Sequence, residues 1–315
     1  MLAYSLSTSW GLSHYDDLGR FARDAHAWGF SAVEANYGVT LAGLAELSES
    51  KVPISSLHYP GPLEMRPGGQ PYYAGPLAPA DPDQRDLSRQ HATRVLHEAA
   101  ESGARAVVFH AADLPQLREL ERGLAQLCRR DVPREERDAA RQDLLIARSS
   151  HAAALFTEVT RMIESLLPPA EELNVRLGLE TRADVRDLPS RTEMDVLLST
   201  YTSLHLGYWH DTGHAHRQEL LGFGAAGGWL RAFGSRLIGM HLSDCRGLDD
   251  HYPAGQGDVD FSAALAFSQP DTVLTLESAG RHSEAEIRQG LAHLRACETA
   301  INGGLQGREK KRPLG

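Results

Sequence analysis

The sequence predicts a single α/β domain folded as a (β/α)8 barrel, and three observations carry this. Short apolar runs alternate with amphipathic helical stretches along the chain, the pattern of parallel strands joined by crossover helices. The runs number eight, the count that closes such a sheet into a barrel. A chain of 315 residues also suits one barrel with loop insertions.

The elements follow in order. Residues 2–6 read as the first strand. Ser13 and Asp16 have capping-box spacing, and Leu18, Phe21, Ala22 and Ala25 then repeat at helical intervals until Gly29. Residues 31–36 form the second strand and 41–47 a short helix. The third strand, 52–58, is compact and apolar, as burial on both faces demands. A loop rich in Gly and Pro (61–82) leads to a helix carrying Leu87, Val95, Leu96 and Ala99, closed by Gly103, and residues 104–110 form the fourth strand.

The fifth strand, 175–180, comes late. Seventy residues separate His110 from Glu180, about twice what a βα unit requires. Much of this stretch is charged helix around Pro133. It is assigned as a helical insertion after strand four, a hairpin over 112–150, followed by the usual fourth helix ending at Pro168-Pro169. Packing of this segment against a second copy, making a homo-oligomer, is an equally economical reading. Strands six to eight are 204–211, 237–241 and 272–277. Ser283 and Glu286 open a last helix as a second capping box. The barrel is thus assigned to 1–302 and a polar C-terminal tail to 303–315.

Composition narrows the class. No apolar run approaches the roughly 20 residues of a membrane span, and no basic-then-apolar leader is visible at the N-terminus. Three widely spaced cysteines, Cys128, Cys245 and Cys297, fit a reducing cytoplasm rather than a disulfide framework. The formal charge of −10 argues against a broad basic surface for nucleic acid. Lysine occurs only at 51, 310 and 311. A Schiff-base aldolase needs a lysine on a barrel strand; Lys51 precedes an expected strand and the other two lie in the tail, which argues against that chemistry.

The polar residues stand in a telling place. Five expected strands end on His58, His110, Glu180, His241 and Glu277, and a sixth on Asp211. All six are metal-ligating types, and in a barrel these ends converge on one mouth, where active sites lie. A lone histidine there is more often a satisfied rim residue; six converging groups reverse that judgement. Asp211-Thr212-Gly213-His214 adds an imidazole one turn on. His241-Leu242-Ser243-Asp244 continues to Asp249-Asp250-His251 and to Gly255-Gln256-Gly257-Asp258-Val259-Asp260-Phe261.

With these motifs the sequence resembles the xylose-isomerase-like TIM barrel superfamily, which includes sugar and sugar-phosphate isomerases and epimerases and also endonuclease IV. The resemblance spans about residues 2–300 and is most specific from Leu179-Glu180-Thr181 to Leu276-Glu277. It implies one divalent metal held by Glu180, Asp211, His241 and Glu277. Mixed carboxylate and imidazole ligands suit Mn²⁺, Zn²⁺, Co²⁺ or Fe²⁺. By resemblance to endonuclease IV, His58 and His110 would join Glu180 at a second ion, and His214, Asp249 and His251 would hold a third. In isomerase-like members such histidines contact substrate hydroxyls instead.

Read as an isomerase or epimerase on a sugar-like substrate, the chain would use Glu180 and Glu277 to relay a proton through an enediolate. His214 would orient a hydroxyl. Arg246 would bind a substrate oxygen, or else pair with Asp244 or Asp249 at the surface. Glu34, near the end of strand two, is a further substrate-binding candidate. A metal-assisted dehydratase of a cyclic polyol is a related option. An endonuclease would need a DNA-binding surface that the net charge disfavours, and Tyr59-Pro60-Gly61-Pro62 departs from that family's pattern. A non-enzymatic binding barrel is the third reading, against which the full ligand set counts. His91, His97 and His293 are expected to be solvated on helices, and His210 and His216 to be exposed. The turn Ser278-Ala279-Gly280-Arg281, where barrels often bind phosphate, has a single arginine.

Overall fold

Eight parallel strands close on themselves: β1 (Tyr4–Ser7), β2 (Ala32–Ala35), β3 (Ile54–His58), β4 (Ala106–Phe109), β5 (Arg176–Glu180), β6 (Leu206–Asp211), β7 (Leu237–Leu242) and β10 (Val273–Leu276). Between the last two, β8 (Asp244–Arg246) and β9 (Asp249–Tyr252) form a small antiparallel hairpin. β1 pairs with β2 on one side and β10 on the other, which completes the circle. The computed structural model describes residues 2–130 and 132–309, apart from the side chains of 303–309.

The barrel strands are short, and apart from the first residue of β5 they are buried throughout, because helices cover the outside while the inward face packs on itself. Side chains alternate between those faces. Trp209 on β6 fills the interior with Ala106, Val108, Ile238 and Val273. It takes the space that side chains would need on the flanking strands: a Cβ on Gly239 would come within 2.1 Å of its ring, and one on Gly178 within 2.9 Å. Two residues further along, the same inward alternation presents Glu180, Asp211 and His241. The indole is therefore the floor of the site, with its ring centroid 5.2 Å from that of His241.

The insertion after β4 takes a different form from a hairpin plus a separate barrel helix. Helix 118–128 is followed by one continuous helix, Arg134–Glu172, of 39 residues. Pro168 and Pro169 lie inside it and do not end it. Each proline removes its own N–H from the ladder and crowds the carbonyl four residues back, and burial of Leu166 and Ala170 holds the segment in place. Arg148 on this helix donates to the Val185 and Asp187 carbonyls and pairs with both oxygens of Glu193. The insertion thereby braces the loop after β5.

Other local expectations are corrected. The helix Leu18–Ala27 is capped by Asp17, whose side chain accepts from the Arg20 N–H, and not by the Ser13/Asp16 pair. His91 is buried, bonded to the Pro60 carbonyl and to Arg94. His210 is buried as well, bonded to the Tyr208 hydroxyl; burial pushes its pKa down to about 3. The Ser283/Glu286 capping box forms as expected. The last helix runs Glu284–Glu309, so the backbone of 303–309 is helical, and the rest of the expected tail, 310–315, lies outside the described residues. Among the described residues no helix is long and apolar enough to cross a membrane.

Candidate metal centre

The centre is built from the last inward position of each strand. Asp211 ends β6 and caps the helix Thr212–Leu220: its Oδ1 accepts from the His214 N–H at 2.8 Å and from the Ser243 hydroxyl at 3.0 Å. Gly213 allows the turn to press against β7, since a Cβ there would meet Ser243 Oγ at 2.4 Å. Capping uses one oxygen of Asp211, and Oδ2 is left buried with no hydrogen-bond partner.

His241 stands at the focus. Its Nδ1 lies 2.8 Å from Glu180 Oε1, 3.1 Å from Glu277 Oε2 and 3.9 Å from Asp211 Oδ2. Its Nε2 lies 3.1 Å from Glu34 Oε2, which also accepts from Ser56 at 2.7 Å. Burial alone would pull this imidazole's pKa down, but Glu277, Glu34 and Glu180 outweigh it and hold the pKa well above the ordinary value. Against its own burial, Glu180 is held well below the usual carboxylate range by His110 and His241.

Ligand atoms of Glu180, Asp211, His241 and Glu277 all fall within 4.8 Å of one another, and all four residues are buried. Three carboxylates around one imidazole nitrogen, one of them with an orphaned oxygen, form an arrangement able to hold a cation. The donor set therefore fits a divalent ion, with His241 offering Nδ1 while Glu34 accepts from Nε2–H. Two further groups share these residues: His58 with Glu180 and His241, and Asp211 with His214 and His251. His110 Nε2 comes to 2.6 Å from Glu180 Oε2. His251 Nε2 lies 3.9 Å from Glu277 Oε2.

Two expected site residues lie elsewhere. Asp249 is exposed and paired with Arg129 at 2.6 Å. Its neighbour Asp250 faces the cluster instead, 3.0 Å from His251 Nδ1 and 3.8 Å from His214 Nε2. Arg246 is exposed, donates to the Gln256 carbonyl and lies over the Tyr252 ring. It pairs with neither Asp244 nor Asp249. Asp244 is consumed by the Gly255–Phe261 run, accepting from the backbone N–H groups of Gly255, Gly257 and Val259. That motif is a loop wrapped on a buried carboxylate, and Asp260 then caps the helix Phe261–Leu265.

Sequence reasoning missed three contributors. Arg182, two residues past Glu180, reaches Glu180 Oε2 at 3.1 Å and His110 Nε2 at 2.5 Å. Asn36 Nδ2 donates to Glu277 Oε1 at 3.2 Å. Tyr37 covers the imidazole of His58 edge-on, ring centroids 5.5 Å apart. Polar residues just beyond strand ends were the available signal. Over the donors opens a cavity of about 270 Å³ that Glu180, Glu277, His214 and His251 all line.

The fold is thus a TIM barrel of eight parallel strands whose C-terminal mouth gathers acidic and imidazole groups able to hold a metal. The chain belongs to the family described as xylose isomerase-like TIM barrel, whose profile matches residues 22–297. No curated protein matches it by sequence. Among solved structures, it is similar to the 3-keto-D-glucoside 4-epimerase YcjR from E. coli (16% identity, 94% of this chain and 100% of that one, TM-score 0.66). It is also similar to a D-tagatose 3-epimerase-like protein (16% identity, 96% and 100%, TM-score 0.67). The D-psicose 3-epimerase of Clostridium cellulolyticum H10 aligns at 12% identity (96% and 98%, TM-score 0.62). At these identities the likeness is one of fold.

Proposed function

We propose that this chain is a divalent-metal-dependent epimerase or isomerase of a carbohydrate, with Glu180 and Glu277 as its proton-transfer pair. The observation that carries the reading is the buried group Glu180, Asp211, His241 and Glu277, with donor atoms within 4.8 Å of one another beneath an open cavity. Those four residues would hold the ion, which supplies a Lewis acid toward a substrate carbonyl. Several of the similar structures are epimerases acting on sugars or sugar derivatives.

The chain's own residues do the rest. Glu180 and Glu277 stand on β5 and just after β10, on different sides of the mouth, and both line the cavity. One takes the proton from the carbon beside the carbonyl; the other returns a proton to the opposite face. Asn36 holds Glu277 and Arg182 holds Glu180, which orients the two carboxylates. His214 and His251 reach the same cavity from the side and serve substrate hydroxyls.

A second reading is a phosphodiesterase with three ions, favoured by the two extra donor groups around His58 and around His214 and His251. The exposed position of Asp249 and the −10 charge weigh against it. A metal-assisted dehydratase of a cyclic polyol would use the same donors. The deciding experiment loads the protein with Mn²⁺ or Co²⁺ and follows epimerisation of ketoses and loss of water, beside nicking of abasic duplex DNA and metal content per chain. One ion per chain with epimerisation supports the proposal. Three ions with DNA nicking would replace it.

A further inference from the structure

The cavity over the donors does not stop at the metal centre. Beside it lies a second chamber of about 350 Å³, walled by Tyr59, Pro76, Asp113, Arg186 and Asp187. Tyr37, His110 and Arg182 line both spaces. Pockets for drug-sized ligands span about 300–1,000 Å³; the metal-side space alone falls short of that range, and the two together sit well inside it.

Charge decides what the second chamber can accept. Arg182 and Arg186 are the cations that line it, and both are already engaged. Arg182 pairs with Glu180 at 3.1 Å and Asp187 at 3.3 Å. Arg186 meets Asp113 at 3.0 Å, Asp184 at 2.9 Å and Asp187 at 3.3 Å. Two guanidinium groups facing four carboxylates leave no positive charge for a phosphate or carboxylate. The other candidate anchors lie outside both spaces: Arg246 and Arg281 line neither, and both stack on Tyr252 at 4.7 Å.

Tyr37 stands at the junction and is 50% exposed. Its ring offers an apolar face with a polar tip, a surface suited to the C–H face of a sugar.

We infer that the substrate is an uncharged glycoside with two parts. The reacting sugar lies over Glu180 and Glu277, and the second unit lies past Tyr37 in the chamber bounded by Asp113 and Arg186. This rests on the epimerase reading and deepens it. A glycosidic bond holds C1 as an acetal, so the carbonyl needed for proton transfer must be a ketone elsewhere on the ring. The proton leaves the adjacent carbon to one carboxylate, the C–H electron pair passes into the carbonyl, and a proton returns to the other face; nothing is oxidised or reduced. The substrate must therefore come from a reaction that oxidises a ring hydroxyl.

The test follows hydrogen–deuterium exchange by NMR in D₂O with the Mn²⁺-loaded full chain. The probes are p-nitrophenyl β-glucoside oxidised to the ketone at ring C3, D-fructose and D-fructose 6-phosphate. Exchange with the keto-glycoside should exceed both others by about 100-fold in kcat/KM. Tyr37→Ala should raise its KM about ten-fold with little change in kcat. Equal exchange with fructose would overturn the two-part substrate while leaving an epimerase. Faster exchange with the phosphate would overturn the charge argument. Exchange with none of the three would remove the epimerase reading and this inference with it.

Discussion

The chain buries charge in two places and treats it differently. Around Arg148 every interaction closes: two backbone carbonyls and both oxygens of Glu193 accept from the guanidinium, and Glu193 also accepts from the Ser190 N–H. Around His241 the closure is incomplete. Four carboxylates (Glu34, Glu180, Asp211 and Glu277) lie within 4 Å of one imidazole, and Glu34 Oε1 and Asp211 Oδ2 have no hydrogen-bond partner. The first is a fastener, neutral and complete, that ties the inserted helix to the β5 loop. The second is a cluster of carboxylates held in place by the barrel, with two oxygens left over and donors able to hold a cation.

The sharpest way to break this contrast is to remove the two carboxylates proposed to transfer the proton. Glu180→Gln and Glu277→Gln should each lower the epimerisation rate by about 10²–10⁴-fold, read as initial rates with metal in excess. Full activity in either variant would remove that residue from the pair. Arg148→Met should instead leave metal content unchanged and cost about 3–5 kcal/mol of stability, measured by urea unfolding. If it abolished metal binding while sparing stability, the division between the two regions would be wrong.

Smaller effects sharpen the boundary. Glu34→Gln replaces the charged acceptor behind His241 with a neutral amide and should weaken metal affinity about 10–100-fold, measured by competition with a chromophoric chelator. Glu121 tests a buried acid outside the centre. Burial, with Asp184 beside it, raises its pKa to about 7. The folded state then binds more protons than the unfolded one between pH 4.5 and 7, so this group's contribution falls as pH rises through that window and stays low above it. Glu121→Gln should gain about 1–2 kcal/mol on wild type between pH 5 and pH 8 in thermal melts. Last, Asp249→Ala should cost under about 1 kcal/mol, as an exposed ion pair does, and should leave metal content unchanged. Asp250→Ala should lower the affinity of any ion bound at His214 and His251.

Much of the centre was legible because strand alternation is rigid. A polar residue at the last inward position of a buried strand has nowhere to point but the mouth, and His58, Glu180, Asp211, His241 and Glu277 all obey that rule. Glu34 obeys it too, meeting His241 Nε2, but like Asp211 and His241 it does not line the cavity that His58, Glu180 and Glu277 line. The hairpin after β7 was not legible. Neighbouring strand residues face opposite ways, so Asp249 and Asp250 cannot be told apart without the register. His251 then adopts φ +59°, which breaks the alternation and lets Asp250 and His251 face the same cluster.

By itself the sequence determined the barrel, the place of the insertion and the residue types gathered at one mouth, because local periodicity and strand-end chemistry act over a few residues. Tertiary structure alone decided that Asp211 Oδ2 and Glu34 Oε1 are left without a hydrogen-bond partner, that Arg182 and Asn36 hold Glu180 and Glu277, and that Arg246 is turned away. Those outcomes depend on contacts between elements far apart in the chain, where a few ångströms of packing separate a ligand from a surface ion pair.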